Sequence, residues 1–274
     1  MPSSVQGSAA TMAGKNGHSL ISSEKFRQLF HTLIEGQMLN QHLRSSGAAA
    51  AVLNREAGPS GLVLDLRPED ALLLPWSNHF AHRVKGLPLK HFLVPPSAKT
   101  ERTETKLGKR LCDTIACGLN NKIERNGAIV LTIFEVPQPG NGEAGLSAYD
   151  DVFRIALANM LPILFVAENH QGVSDSSSFR ETHAALPYIS VDAHDVVAVY
   201  RVAQESITRT RDGGGPALIE LASVAVEMDD DPVEKMHRYL IGKGLPAQKW
   251  KAEAVRRFEK QLGDACLPAP NPLA

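Results

Sequence analysis

The sequence predicts an α/β protein built on a doubly wound, mainly parallel sheet with helices on both faces. Three observations carry that expectation. The runs AIVLTIF, LPILFVA and PALIELASVAV are apolar and of strand length, the pattern of strands buried on both faces. Segments of helical length separate them, and such alternation favours parallel pairing through crossover connections. The run LPILFVA also breaks abruptly into Glu168, Asn169, His170 and Gln171. Polar residues at the carboxyl end of a buried strand stand where open α/β sheets bind ligands.

The elements follow in chain order. Residues 1–21 lack the charged head and apolar centre of a signal peptide and read as a disordered lead-in. Residues 22–274 read as one domain, long enough for a substantial core. A helix starts near Ser22-Ser23-Glu24 and places Phe26, Leu29, Phe30, Leu33, Ile34 and Met38 on one face, with His31 and His42 solvated on the other. GAAAAVLNR reads as a second helix. GLVLDLRPEDALLL turns at Arg67-Pro68-Glu69-Asp70, and VPPSAKTERTET is a polar loop.

A helix from Lys106 aligns Leu111, Ile115, Leu119 and Ile123, with Cys112 and Cys117 as small residues on or near its apolar face, and ends at Asn126-Gly127. AIVLTIF is the first clearly buried strand and EVPQPGNGEAG a turn-rich connection. YDDVFRIALANM is a helix with acids favourably near its amino end, before the strand LPILFVA. ISVDAHD is a strand and turn, VVAVYRVAQESITRTRDGGG a helix stopped by glycine, and PALIELASVAV a strand. The segment after Asp229-Asp230-Asp231 holds two helices split by Gly244-Leu245-Pro246. No internal repeat is visible.

Composition excludes several classes. A net charge of −1 and 5% aromatic residues offer neither a basic footprint for nucleic acid nor stacking platforms for bases. No apolar segment approaches membrane-spanning length. Three cysteines, Cys112, Cys117 and Cys266, lack metal spacing and suit a reducing cytoplasm.

The stretch ALANMLPILFVAENHQ, followed by ISVDAHDVVAVYRVAQESITRTRDGGGPALIEL and DDPVEKMHRYLIGKGL, resembles the alpha subunit of thiamine-diphosphate-dependent 2-oxo-acid dehydrogenases. This is the decarboxylating first component of the pyruvate, branched-chain and acetoin systems. The resemblance covers most of Ser22 to Leu262, strongly after Tyr149 and thinly before it. It implies the thiamine-diphosphate-binding fold, thiamine diphosphate and magnesium as cofactors, and assembly as a homo-oligomer or with a beta-type chain.

In the family, a Gly-Asp-Gly strand end and a later asparagine hold the diphosphate through magnesium, a main-chain carbonyl two residues on completing the site. Magnesium demands hard oxygen ligands, and glycines let backbone amides approach phosphates closely. The matching positions here are Phe134-Glu135-Val136, then Asn169-His170 and the carbonyl of Gly172. Imidazole suits zinc, copper or iron better than magnesium. Glu135, His170 and the Gly172 carbonyl could hold another metal, or Glu135 could be a solvated strand-end acid and His170 a loop cap.

The family's diphosphate-gripping arginine is replaced in PWSNHF by Trp76, Ser77, Asn78 and His79, and serine offers no charged fork. His79 matches a family histidine near the active site and is the single catalytic candidate. The family's arginine-rich loop is absent after ALIELASVAVEMDDDP. Losing the arginine and the metal clamp would each cost on the order of 2–4 kcal/mol. Together they would weaken binding by several powers of ten.

The expectation is therefore an alpha-subunit-like protein whose diphosphate and magnesium ligands are largely lost, a non-catalytic homologue with Glu135, Asn169, His170, Gly172 and Trp76 as vestigial cofactor contacts. Two alternatives stand beside it. One is an active subunit with an atypical site completed by a beta subunit. The other is a fold repurposed to bind a different small molecule through Asn169, His170 and Trp76.

Overall fold

The computed structural model describes residues 21–45, 57–74, 79–93, 107–136, 144–169, 186–223 and 231–266. Five strands form one sheet: β1 (Ala71–Leu73), β2 (Val130–Glu135), β3 (Ile163–Asn169), β4 (Tyr188–Asp192) and β5 (Ala217–Ala222). Their spatial order is β1-β2-β3-β5-β4, and every pairing is parallel. The three central strands are the three apolar runs of the sequence, and β3 and β5 are buried along their whole length.

Helices cover both faces, as the continuous apolar strands require. On one face lie α5 (Leu107–Glu124) and α6 (Ala144–Ala158), enclosing Val130, Phe134, Phe153, Phe165 and Leu218. Against the other pack α2 (Ala57–Val63) and α7 (Val196–Arg209), burying Leu131, Ile133, Leu164, Val166, Ile219 and Leu221. Gly61 permits the tight α2–α7 approach, since a Cβ there would lie 2.7 Å from Val199 and 2.9 Å from the Tyr200 backbone nitrogen.

A further helical layer lies outside α7. Helix α1 (Ser23–Ser45) inserts Phe26, Leu29, Phe30, Leu33 and Ile34 among α8 (Pro232–Gly242) and α9 (Ala247–Cys266). The short helices α3 (His79–Val84) and α4 (Lys90–Leu93) add Phe80 and Phe92 against α1 and α9. Asp195 caps α7 through the amides of Val197 and Ala198, and Asp231 caps α8 through Val233. A π-helical turn over Thr210–Gly214 ends α7, with Gly213 at φ 87°.

Several side chains sit elsewhere than the sequence suggests. His31 is buried, 7% exposed, because α9 covers the flank of α1 expected to meet water. Ile123 is 75% exposed, since the last turn of α5 runs past the sheet. Cys112 is exposed rather than packed, while Cys117 lies against the α5–α6 core. Asp150 and Asp151 are not in the first turn of α6, which starts at Ala144, and Asp151 instead pairs with Arg154 at 2.6 Å. GAAAAVLNR, VPPSAKTERTET and residues 1–20 lie outside the described residues.

One end of the sheet is tied by charge. The Asp70 carboxylate, with no exposed side-chain surface, accepts from Arg211 Nη1 at 3.0 Å and Nη2 at 2.8 Å. It also accepts from the amides of Ile129 and Arg67 at 2.9 and 2.7 Å. Arg211 donates in turn to the Gly127 carbonyl at 2.7 Å. This network joins the starts of β1 and β2 to the turn that leads into β5.

Candidate functional site at the carboxyl edge of the sheet

The carboxyl ends of β2, β3, β5 and β4 gather acids. Glu135 closes β2 with an exposed side chain and stands in register beside Glu168 of β3, which is buried. Strand alternation turns both toward the α2–α7 face. Asn169 points to the opposite face, where its Nδ2 donates to Oε1 of Glu220 at 2.7 Å. Tyr188 donates its hydroxyl to Oε2 of the same carboxylate. Glu220 is fully enclosed, so these donors from β3 and β4 replace water around it.

Past β4, Oδ2 of Asp192 accepts from Lys235 of α8 at 2.6 Å, and its Oδ1 lies 3.4 Å from His194 Nδ1. His194 and then Lys235 hold the Asp192 carboxyl well below the usual carboxylate range despite its partial burial. At the β2 end, the enclosed Tyr149 hydroxyl lies 3.5 Å from the Glu135 carbonyl, within reach of donation. Burial pushes this phenol up to about 12; the nearby Arg110 charge opposes the shift and that of Glu135 adds to it.

Phe134 and Val136 matter more for what they do than for bulk in the crevice. The Phe134 ring points away from the edge into the core, 4.7 Å from the Tyr149 ring and 6.1 Å from Phe153. Val136 packs against the same cluster, and its amide donates to the Glu168 carbonyl at 2.9 Å. The β2–β3 ladder thus continues through the position of the family's second glycine, and that amide is committed to the sheet.

The site residues read from the sequence fare differently. Glu135 stands at the edge and is exposed. Asn169 is there too, with its side chain bonded to Glu220. His79 opens α3, while Trp76, His170 and Gly172 lie outside the described residues. Among the described residues, no group of three His, Cys, Asp or Glu side chains is arranged to hold a metal ion. Of the four described acids, Glu168 and Glu220 are buried, Asp192 is half-buried and held by Lys235, and Glu135 is exposed.

Sequence reasoning named Glu168 at the strand end but did not single out Glu220, Tyr188, Tyr149 or Arg110. An acid inside an apolar run, as in PALIELA, was a signal for Glu220; a buried carboxylate there must find donors. Tyr188 and Arg110 carried no comparable local mark.

Residues 119–232 match the family described as dehydrogenase E1 component. The chain is 33% identical over 119 residues to the alpha subunit of acetoin:2,6-dichlorophenolindophenol oxidoreductase of Bacillus subtilis, covering 39% of this chain and 34% of that one. It is 40% identical over 91 residues to the pyruvate dehydrogenase E1 alpha subunit of Porphyra purpurea, 30% of this chain and 26% of the relative. With the corresponding subunit of Acholeplasma laidlawii the identity is 25% over 203 residues, 62% of this chain and 56% of the relative. The matched spans thus cover from a quarter to just over half of these relatives. Over residues 119–232 the chain is similar to the dehydrogenase E1 component family, and the relatives it resembles there are named as alpha subunits.

Proposed function

We propose that this chain is a 2-oxo-acid dehydrogenase alpha-subunit-like protein that keeps the fold and an assembly role but no longer binds thiamine diphosphate through magnesium. The observation that supports this reading most is the commitment of Phe134-Glu135-Val136. The Phe134 ring fills core beside Tyr149, and the Val136 amide serves the Glu168 carbonyl rather than a phosphate. At the same edge Glu135 is exposed beside the buried Glu168, and one nearby cation, Lys235, is held by Asp192. Several relatives are named as alpha subunits, which makes a beta-type chain, or a second copy, the expected partner.

Calorimetric titration of the full chain with thiamine diphosphate and magnesium tests this. No saturable heat is expected; binding in the micromolar range would remove the proposal.

One observation favours a second reading, an active decarboxylating subunit with an atypical site. Glu135 is exposed and could bridge a metal, with a beta subunit supplying the acid that activates the cofactor. Decarboxylation of pyruvate or a branched 2-oxo acid by the mixed subunits would establish it. Full activity in Glu135→Ala would then show that the metal site lies elsewhere.

A further inference from the structure

Helix α1 meets α9 through two ion pairs with an imidazole between them. Arg27, His31 and Glu35 follow one another at four-residue steps and so share one stripe of α1; Glu253 and Arg257 share one of α9. Arg27 Nη2 lies 3.0 Å from Glu253 Oε2, and Arg257 Nη2 lies 3.6 Å from Glu35 Oε2. Both carboxylates are thus engaged, and Glu35 also takes Arg83 of α3 at 2.7 Å. Glu24, in the first turn of α1, lies 3.7 Å from Arg27. His31, on the stripe between the two pairs, is buried, and among the described residues its Nε2 has no hydrogen-bond partner. On the next flank Phe30 stacks on His237 of α8, whose own acidic neighbour is Glu234 at 4.0 Å.

We propose that His31 makes the α1–α9 joint acid-sensitive, closed at neutral pH and opening in mildly acidic solution while the five-stranded sheet stays folded. A neutral imidazole tolerates this place, since only one of its ring nitrogens carries a proton to donate. Protonation turns both nitrogens into donors and adds a charge between two guanidiniums whose carboxylates are already engaged. Water reaches the new donor once α1 and α9 part. Burial, then the Arg257 and Arg27 charges, lower the His31 pKa against the pull of Glu253 and Glu24, in keeping with that geometry. Below the unfolded value of about 6.5 the open form takes up a proton that the closed form resists, so each pH unit favours opening by up to about tenfold until the folded pKa is reached. The acid-sensitive group of the sheet, Asp70, responds lower: its carboxyl is depressed and still holds Arg211 when His31 protonates.

Hydrogen exchange of the full chain, read by mass spectrometry at pH 7.5 and 5.5 and corrected for the intrinsic pH dependence of exchange, is the test. Protection in α1 and α9 should fall by up to about tenfold at the lower pH, while β2, β3 and β5 keep theirs. In His31→Leu the two helices should be equally protected at both pH values. No loss in α1 and α9 overturns the proposal, as does a loss shared evenly with the sheet or one that His31→Leu leaves unchanged. A response that survives His31→Leu and disappears in His237→Phe would assign the joint to α8 and overturn the role of His31. If His31→Leu fails to fold, imidazole titration of the wild type by NMR decides. His31 protonating while the α1 and α9 amides stay undisturbed would then overturn the proposal, and opening that tracks its protonation would support it.

Discussion

The two ends of the sheet solve opposite problems with the same residue types. At the amino edge one acid, Asp70, meets one cation and two backbone amides, and the arginine is tied further to Gly127. At the carboxyl edge Glu135 stands in register beside Glu168 on one face while Glu220 lies on the other; Glu220 is held by the neutral donors Asn169 and Tyr188, and Asp192 by Lys235. The first arrangement joins three segments far apart in sequence and leaves its carboxylate no work besides. The second spreads its acids over both faces of the sheet near the strand ends, where such folds bind ligands. Stability is thus invested at one end and chemical potential at the other.

Breaking the amino edge should have the largest effect. Asp70→Ala leaves the Arg211 guanidinium beside Gly127 without its buried carboxylate. Removing one partner of a buried pair costs about 3–5 kcal/mol, readable as a lowered urea midpoint. Acid should act through the same group. Burial raises the Asp70 carboxyl, but the Arg211 hydrogen bonds and the two amides outweigh it, and the net shift is downward. A depressed folded pKa contributes stability that is complete above the unfolded value of about 3.9 and is lost as pH falls through the folded one. Wild type should therefore lose stability steeply below about pH 4, and Asp70→Asn should flatten that slope in acid-unfolding curves. An unchanged slope would show that the amino edge is not the acid-sensitive end.

At the carboxyl edge, Glu220→Ala should cost less. It deprives Asn169 and Tyr188 of an acceptor, and buried donors so stranded cost about 1–3 kcal/mol. Tyr188→Phe removes one donor and should cost about 1 kcal/mol in the same denaturation measurement. If Glu220→Ala were as damaging as Asp70→Ala, the division of labour between the ends would fail.

Much of the fold was legible locally. Continuous apolar runs marked β2, β3 and β5 because both faces are covered, and the glycines after Thr210 marked the end of α7. Legibility stopped where a residue's surroundings come from distant chain. Glu220 meets Asn169 across 51 residues and Tyr188 across 32, and no periodicity encodes such meetings. His31 sat off the apolar stripe of α1 and read as solvated, but α9 covers that flank from over 200 positions away. Of the candidate site, the sequence located Phe134 and Glu135 at the end of the strand β2 but not the direction of the Phe134 ring. That its ring turns into the core, leaving a committed Val136 amide as the obstacle, needed three dimensions.

His31 sharpens the comparison because it titrates outside both edges. Burial lowers its pKa, and the Arg257 and Arg27 charges lower it further against the weaker pull of Glu253 and Glu24. Below the unfolded value of about 6.5 the unfolded chain takes up a proton that the folded one resists, so stability declines as pH falls from there toward the folded pKa. Melting temperatures of wild type and His31→Leu should differ more at pH 5.5 than at pH 8, the variant being the less sensitive. A loss confined to this window belongs to the outer helical layer; one below about pH 4 belongs to Asp70.

The smallest effect should come from Glu135→Ala. Its side chain is exposed, it closes its strand, and its register partner is another acid, Glu168. Surface substitutions away from special features shift stability by less than about 0.5 kcal/mol, and like charges side by side on neighbouring strands oppose folding. The variant should therefore unfold at the wild-type urea concentration or slightly above it. A carboxylate that folding does not need is one a ligand, a metal or a partner could have retained. If Glu135→Ala destabilised the chain as Asp70→Ala does, Glu135 would be a structural acid like Asp70, and the carboxyl edge would lose its claim to be the working end.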